Sequence, residues 1–151
     1  MRAHLLIAAL LTTTGAASAA DTYTCRSLNE TDFPVTASFD LRHGDDGYSV
    51  PRAEMQIEGD MGYSTTPDHP SNGAFVSEIG VDDGSIRLVF HQTYDGYDVD
   101  VAELHVVTLS EGVYELTAGV LQIGGGGLWA IQCDIAYGHP LDHETISSSK
   151  R

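Results

Sequence analysis

The stretch Val35-Thr36-Ala37-Ser38-Phe39-Asp40-Leu41 alternates apolar and polar side chains without a break. Because successive side chains of a β-strand point to opposite faces of the sheet, this period of two predicts a strand with one buried face. The residues that follow, His43-Gly44-Asp45-Asp46-Gly47, are turn formers, since Asp hydrogen-bonds the local backbone and Gly accepts a positive φ. A strand that leads directly into a tight turn is typical of an antiparallel sheet.

The remainder of the chain repeats this arrangement of short β runs and turns. Further strands are predicted at 48–50, 54–58, 74–79, 85–91, 98–109, 113–123 and 128–135. Two prolines and an Asn-Gly pair mark the segment 59–73 as an exposed loop, and Asp82-Asp83-Gly84 and Asp95-Gly96 mark hairpin turns. Turn signals at roughly 8–12-residue spacing favour a barrel or a sandwich. We therefore expect one small all-β domain, an antiparallel barrel or sandwich of about eight strands.

The strand predicted at 98–109 changes its alternation halfway. Val99 and Val101 have one parity, whereas Leu104 and Val106 have the other. One extra residue shifts the pattern by one position and returns both halves of the strand to the same face. A β-bulge near Ala102-Glu103 is therefore expected.

The first residues of the chain have the three parts of a secretory signal peptide. Met1-Arg2 gives a positive start, residues 5–11 form an uninterrupted apolar run, and Ala17-Ser18-Ala19 is a small-residue exit. A membrane anchor needs about 20 consecutive apolar residues, and Thr12-Thr13-Thr14 ends this run far too early. Residues 1–20 are therefore interpreted as a cleaved Sec signal, and the mature protein is expected to be periplasmic or secreted.

The part after the signal is interpreted as an acidic β domain at 21–138 and a polar C-terminal tail at 139–151. It contains no stretch apolar enough to insert into a membrane.

The full chain contains 22 acidic and seven basic side chains, for a formal charge of −15. Such a charge repels nucleic acid and anionic lipid, and it attracts cations and basic proteins. An acid-rich surface also keeps an exported protein soluble without any partner. The charge alone leaves both interpretations open.

Cys25 and Cys133 are the two cysteines of the chain. An even number of cysteines in an exported protein usually forms disulfides, and this spacing fits neither a redox C-x-x-C motif nor a zinc site. A bond between Cys25 and Cys133 would tie the first strand to the last. Trp129, Ile131 and Cys133 share a parity in that last strand, so an inward face would bury the disulfide near the only tryptophan.

Aromatic side chains close to turns are the candidates for contact with a partner. Such residues often contribute most of the binding free energy of an interface. The four that we expect to be exposed near turns are Tyr63, Tyr94, Tyr97 and Trp129.

The C-terminal tail contains side chains that bind metals. His139, Asp142 and His143 supply two imidazoles and a carboxylate, which suit zinc, nickel or copper. On a helix His139 and His143 would face the same way, but Pro140 allows a helix only from its own first turn. A solvated tail is the favoured interpretation, and no metal is expected.

Two other motifs have a plain structural explanation. Asp95, Asp98 and Asp100 resemble a calcium loop only loosely, because their order fails the EF-hand pattern, and charged turn residues are favoured. The four glycines at 124–127 run from strand to strand with no lysine nearby, whereas a phosphate-binding loop runs from a strand into a helix. A flexible hairpin tip is the favoured interpretation, and no cofactor is expected.

A catalytic constellation is not evident in the sequence. His91 and His105 lie on predicted strands and can meet an acid across the sheet as acid–base partners, but a strand histidine is more often a half-buried polar residue. Three functions stay open. The first is a non-enzymatic binding module for a basic partner, for example an inhibitor of a cationic hydrolase. The second is a small β-barrel that holds an apolar or cationic ligand, and the third is a hydrolytic or metal-dependent enzyme.

Overall fold

The computed structural model describes residues 19–28, 33–58, 62–66, 74–124 and 127–138. These residues contain nine β-strands, which follow one another as β1 Asp21–Ser27, β2 Val35–Gly44, β3 Gly47–Ile57, β4 Gly62–Ser64, β5 Ala74–Asp82, β6 Ser85–Tyr94, β7 Tyr97–Glu111, β8 Tyr114–Ile123 and β9 Gly127–Ala136. The predicted all-β class is confirmed.

The nine strands form one antiparallel sheet in the order β4-β3-β2-β1-β9-β8-β7-β6-β5. The chain therefore builds the sheet outward from its centre, where the first and the last strand pair with each other. The sheet is open, with β4 and β5 as its edges. The described strand pairings therefore do not close it into a barrel. Residues of β5 nevertheless lie within 8 Å, Cα to Cα, of residues of β3 and of β4. The sheet thus curls around its buried side until its edges approach each other.

The strand β4 was not expected from the sequence. This short strand lies inside the segment 59–73, which the sequence marks as a loop, and it pairs with β3 through Glu54, Met55 and Gln56. The Tyr63 ring packs against the core and Ser64 is buried, so burial holds these residues on the sheet. The rest of that predicted loop, at 59–61 and 67–73, lies outside the described residues.

Strand β3 is one continuous strand rather than the two short strands predicted at 48–50 and 54–58. Its register against β2 shifts between Asp40 and Arg42, where one residue of β2 faces two of β3. Pro51 lies at this irregularity. Proline has no N–H to donate to a ladder, and it is tolerated in a sheet at such bulges. The proline that weakened the sequence pattern is thus accommodated without ending the strand.

The predicted bulge in β7 is confirmed, one residue earlier than expected. Phe90 pairs with Ala102 and His91 with Asp100, which leaves Val101 as the extra residue. Val101 and Ala102 are consequently both buried. The bulge returns Leu104 to the buried face, as the change in alternation required.

Both predicted hairpin turns are also confirmed. Asp83 and Gly84 have φ values of 34° and 79°, and Asp95 and Gly96 have 50° and 82°. Two consecutive positive φ angles match the right-handed twist of antiparallel strands, and Asp followed by Gly tolerates them best.

One hydrophobic cluster fills the buried side of the sheet and draws residues from seven strands. The side chains buried most deeply include Phe39, Leu88, Leu104, Leu121 and Ile131. Tyr23 stacks on Phe39 with ring centroids 4.5 Å apart and planes 5° from parallel. The stacked rings belong to direct partners of the β1–β2 ladder, and the cluster as a whole joins β1–β3 to β6–β9 across the curled sheet.

Cys25 and Cys133 form the predicted disulfide. They are direct partners in the β1–β9 ladder, with Cα atoms 3.9 Å apart, and both are buried. The bond therefore closes a loop of 108 residues by joining strands that already pair. Trp129, Ile131 and Cys133 share the inward face, as predicted, although Trp129 is only partly buried.

The antiparallel order gives the sheet two ends. The proximal end, where β1 begins and β9 ends, carries the turns at 45–46, 83–84 and 112–113. The distal end carries the turn Asp95-Gly96 and the connection between β8 and β9. The chain's acidic turns are therefore distributed to two separate surfaces.

Candidate functional site

A cavity of about 240 Å³ opens at the proximal end of the sheet. We call it the tyrosine cavity, because three of the side chains around it are tyrosines. Its lining includes Asp21, Tyr23, Tyr48, Val81, Ile86 and Tyr137. Some of these residues lie on β1, on β3 or after β9, and the others lie on β5 and β6. The curling of the sheet brings the two groups together and forms the cavity.

The three tyrosines come from separate parts of the chain and differ in exposure. Tyr23 on β1 is buried, whereas Tyr48 at the start of β3 and Tyr137 after β9 are partly open to solvent. The Tyr48 ring stacks on His43 across the β2–β3 ladder, with centroids 4.8 Å apart. The cavity therefore has one buried aromatic side chain and two accessible ones.

Two carboxylates lie directly beside these rings. The Tyr137 hydroxyl donates a hydrogen bond of 2.6 Å to Oε1 of Glu115, and the backbone N–H of Gly138 donates one of 2.9 Å to Oδ1 of Asp21. Burial, followed by the hydrogen bond to Glu115, raises the pKa of Tyr137 far above its ordinary value. Burial also raises the pKa of Tyr23, and the charges of Asp21 and Glu115 add to that shift. Both tyrosines are thus neutral at physiological pH in a negative potential.

Further acidic side chains surround the mouth of the cavity. The turns of the proximal end and the neighbouring strand ends carry exposed carboxylates at Asp45, Asp46, Asp82, Asp83 and Glu111. Arg42 near the end of β2 and Arg87 near the start of β6 are the arginines that the described strand pairing places near this end, and Arg87 is ion-paired with Glu78 and Glu103. The net charge at the proximal end is therefore strongly negative, as it is for the chain as a whole.

Aromatic faces and carboxylates together favour a cation. A Lys, Arg or quaternary ammonium group gains about 0.5–2 kcal/mol over an aromatic face, and nearby carboxylates add Coulombic attraction. Leu41 and Ile86 supply apolar lining that suits the hydrocarbon stem of such a side chain. A drug-sized ligand needs roughly 300–1,000 Å³, so the volume of this cavity fits one side chain or head group.

Two of the sequence-predicted contact residues lie far from this cavity. Tyr94 and Tyr97 face each other across the β6–β7 turn at the distal end, and their side chains are 71 % and 76 % exposed. They form an accessible aromatic pair beside Asp95 and Asp98. The distal end is thus a second surface on which aromatic and acidic residues meet.

The other two predicted contact residues, Tyr63 and Trp129, make contacts with other parts of the domain. Tyr63 is half-buried against the core and lines a cleft with Thr36 and Gln56. The Trp129 indole N–H donates to the carbonyl oxygen of Phe33 at 3.1 Å, and its ring covers Gly127, where an added Cβ would lie 2.7 Å away. Neither side chain is as exposed as its position near a turn led us to expect.

The candidate metal ligands give no site among the described residues. His139, Asp142 and His143 lie outside them. Asp98 accepts a hydrogen bond of 2.8 Å from the Thr93 hydroxyl, and Asp100 contacts His91. Within the described ranges no group of three or more His, Cys, Asp or Glu side chains is arranged to hold a metal ion.

The two strand histidines each contact one polar neighbour. Nε2 of His91 contacts Oδ1 of Asp100, and Nε2 of His105 lies 2.8 Å from the Ser85 hydroxyl oxygen. Nucleophilic catalysis by serine needs a base that a third group orients and donors for the developing oxyanion. Among the described residues, Ser85 is the side chain that hydrogen-bonds to the His105 ring, and no third group extends this pair. The contact is therefore a two-residue pair on the exposed side of the sheet.

The tyrosine cavity was not identified from the sequence, although one signal for it was present. Tyr23 lies two residues before Cys25, and Tyr137 lies four residues after Cys133. An antiparallel pairing of the two cysteines brings the start of β1 beside the end of β9, and both tyrosines with it. Tyr48 was not predictable in this way, because it lies on β3, two strands away from β1 in the sheet order.

No protein-family model, no curated protein and no solved structure matches this chain. In the described part of the chain, no helix has the length and apolar character that a membrane crossing requires.

Proposed function

We propose that this protein is a non-enzymatic binding module for a basic partner, and that the tyrosine cavity receives a cationic side chain of that partner. The observation that supports the proposal is the grouping of Tyr23, Tyr48 and Tyr137 with the carboxylates of Asp21 and Glu115 at one cavity. An inhibitor of a cationic hydrolase is the concrete form of this function. The acidic proximal end would speed the encounter, and the cavity would supply a specific contact.

The proposed compartment is the periplasm or the extracellular medium, after removal of residues 1–20. The Cys25–Cys133 disulfide is consistent with an oxidising environment. We expect the mature chain to begin at Ala20 or Asp21, because small-residue exits precede both positions. N-terminal sequencing of exported protein checks this, and retention of Met1 would contradict it.

The binding of a small cationic ligand is the second candidate function, and the same cavity supports it. In this version the curled sheet acts as a small barrel, and the ligand is a free ammonium compound rather than a protein side chain. The volume of about 240 Å³ accommodates a head group more readily than a whole drug-sized molecule. We favour the basic protein partner because the acidic turns around the cavity form a negative surface larger than one small ligand would cover.

Titration with two cationic probes tests the proposal. The probes are a lysine-rich peptide and tetramethylammonium, followed by NMR shifts and by calorimetry. At about 0.15 M salt, where the Debye length is about 8 Å, we expect the peptide to bind and to shift resonances of the cavity residues. Binding should weaken at least about fivefold in Tyr48→Ala and in Glu115→Gln, because each removes one part of the cation site.

Tyr97→Ala is the matched control, since it removes an exposed tyrosine at the distal end. If Tyr48→Ala leaves peptide affinity unchanged and Tyr97→Ala together with Tyr94→Ala lowers it, the distal tyrosine pair is the contact surface and the cavity is not. Tight binding of tetramethylammonium without binding of the peptide would support the small-ligand function. Loss of all binding at about 0.15 M salt would leave the acidity as a solubility device.

A further inference from the structure

The outer side of the β7–β8 ladder is apolar at two consecutive outward residue pairs. Leu109 pairs with Leu116 and Val107 with Ala118, and Val120 is the next outward residue on β8. We call these five residues the apolar outer face. They point away from the core, because their neighbours Val106, Thr117 and Leu121 are the buried residues of the same strands.

The apolar outer face is open to solvent. Leu109 and Leu116 are 65 % and 47 % exposed, and Val107 and Val120 are also accessible. The β7–β8 turn extends the apolar surface with Val113 and Tyr114, which are nearly fully exposed. Single exposed apolar residues are ordinary, but contiguous apolar patches on a soluble protein usually mark an interaction surface.

Carboxylates surround this face on three sides. The amide of Thr108 donates to the carbonyl oxygen of Gly84, which places the Asp82-Asp83 turn beside Leu109. Glu111 lies at the end of β7, and Asp134 on β9 follows Cys133, the partner of Thr117. The rim is thus acidic at the proximal end, although Asp134 is ion-paired with Arg26. His105, the partner of Val120, and Arg87 border the opposite side of the face, and the centre carries no charged side chain.

The apolar outer face and the tyrosine cavity lie on opposite sides of β8. Glu115 lies between Tyr114 and Leu116 on β8, and its carboxylate accepts the hydrogen bond from Tyr137 of the cavity, so the Leu116 side chain points to the other side of the sheet. A partner that places a cation in the cavity therefore reaches Leu116 by extending around the proximal end of the sheet. Apolar centres with a polar rim are the usual composition of a protein interface.

We propose that the apolar outer face binds an amphipathic basic segment of the partner, whose apolar side chains cover Leu109 and Leu116 while its cations meet the acidic rim. This inference rests on the proposed function and adds a second contact surface to it. Charge complementarity selects the basic partner over a second copy of this chain, because two copies would bring their acidic rims together.

Two peptides of equal charge separate the apolar contact from the cation site. One alternates Lys and Leu, and the other alternates Lys and Gln. We expect the Lys-Leu peptide to bind the wild-type protein at least about tenfold more tightly. The double variant Leu109→Gln, Leu116→Gln should remove this preference and keep the affinity for the Lys-Gln peptide.

Leu128→Gln is the matched control. Leu128 is 67 % exposed, close to the value for Leu109, and its partner Gln122 lies six residues beyond Leu116 on β8, or ~20 Å along the sheet. It should retain the full preference for the Lys-Leu peptide. Circular dichroism and urea midpoints of all variants establish that the fold is intact, as expected for substitutions on an exposed face.

Each outcome is decisive. Equal affinity of the wild type for both peptides, or an unchanged preference in the double variant, overturns the inference and leaves the cation site standing. Binding of neither peptide overturns the proposed function together with this inference. Sedimentation of the wild type as a dimer that the double variant dissociates would identify a second copy as the occupant and overturn the assignment of a basic partner.

Discussion

The hydroxyl of Tyr137 donates a 2.6 Å hydrogen bond to the carboxylate of Glu115. Tyr137 follows the last residue of β9, and Glu115 is the second residue of β8. The hydrogen bond between them lies at the edge of the tyrosine cavity. A carboxylate accepts such a bond only from the protonated phenol. The bond therefore couples the integrity of the proximal end to the protonation of Tyr137.

Stability is expected to fall at alkaline pH through this coupling. The pKa values of Tyr137 and Tyr23 are raised in the folded state, by burial first and then by their acidic neighbours. A raised pKa stabilises the fold below the unfolded value of about 10 and loses that contribution as the pH rises further. Urea unfolding measured from pH 7 to about pH 11 should show this decline, and Tyr137→Phe should make it shallower.

Tyr97→Phe is the control for this experiment, because it removes an exposed tyrosine hydroxyl at the distal end, away from the Tyr137–Glu115 bond. Identical pH profiles for the wild type and Tyr137→Phe would contradict the role assigned to the Tyr137–Glu115 bond.

The disulfide should contribute a large part of the stability. In the chain-entropy account a cross-link that closes a loop of about 100 residues contributes at most about 5 kcal/mol, and measured values are typically 2–4 kcal/mol. The double variant Cys25→Ala, Cys133→Ala should therefore lose about 2–4 kcal/mol of unfolding free energy in urea. Because β1 and β9 also pair through backbone hydrogen bonds, the fold should survive at low temperature. Two alkylated thiols in unreduced wild-type protein would show that the bond is absent in solution.

The strands, the turns and the disulfide were predictable from the sequence because each depends on local chemistry. The alternation at 35–41 defines the buried face of β2, and Asp-Gly pairs define two turns. The slip in alternation located the bulge at Val101 to within one residue. The short strand β4 was missed because three residues give no periodic signal, and only contact with the core holds them on the sheet.

The candidate site was less predictable because it depends on how the sheet curls. Tyr94 and Tyr97 are exposed as expected, since a turn projects its flanking side chains into solvent. Trp129 also lies close to a turn in the sequence, but its ring covers Gly127 and its N–H donates to the Phe33 carbonyl oxygen. A pattern along one strand does not reveal what lies across the sheet. The meeting of Tyr48 with Tyr137 is such a relationship.

Gly119 is expected to be the least replaceable glycine within the strands. A Cβ at this position would overlap the carbonyl oxygen of His105 and lie 2.7 Å from Cα of Val106, and both obstacles are backbone atoms of β7. Gly119→Ala should therefore cost at least about 2 kcal/mol, since the strands must separate to admit the methyl group. Urea unfolding measures this loss.

Gly80→Ala is the matched substitution on β5, where the added Cβ would make ordinary contact with the Arg87 side chain at 3.6 Å. It should be neutral or slightly stabilising, because alanine has less backbone entropy to lose than glycine. Equal losses for both variants would mean that the effect reflects glycine in a strand rather than the close approach of β7 and β8.

Asp40 should make the protein sensitive to acid. Burial opposes its ionisation, but hydrogen bonds from Arg52, at 3.1 Å, and from the Thr22 hydroxyl, at 2.8 Å, outweigh that effect and lower the pKa of Asp40. A lowered pKa stabilises the fold above the unfolded value of about 3.9, and this contribution disappears as the pH falls through the folded value. Asp40→Asn should therefore cost about 1 kcal/mol at pH 7, a modest value because the partly exposed Arg52 is screened by solvent.

The difference in unfolding free energy between Asp40→Asn and the wild type should shrink as the pH falls below about 4. Glu111→Gln, at an exposed carboxylate, is the control and should give little difference at either pH. A difference for Asp40→Asn that is constant from pH 7 to pH 3 would show that the side chain acts through packing and not through its charge.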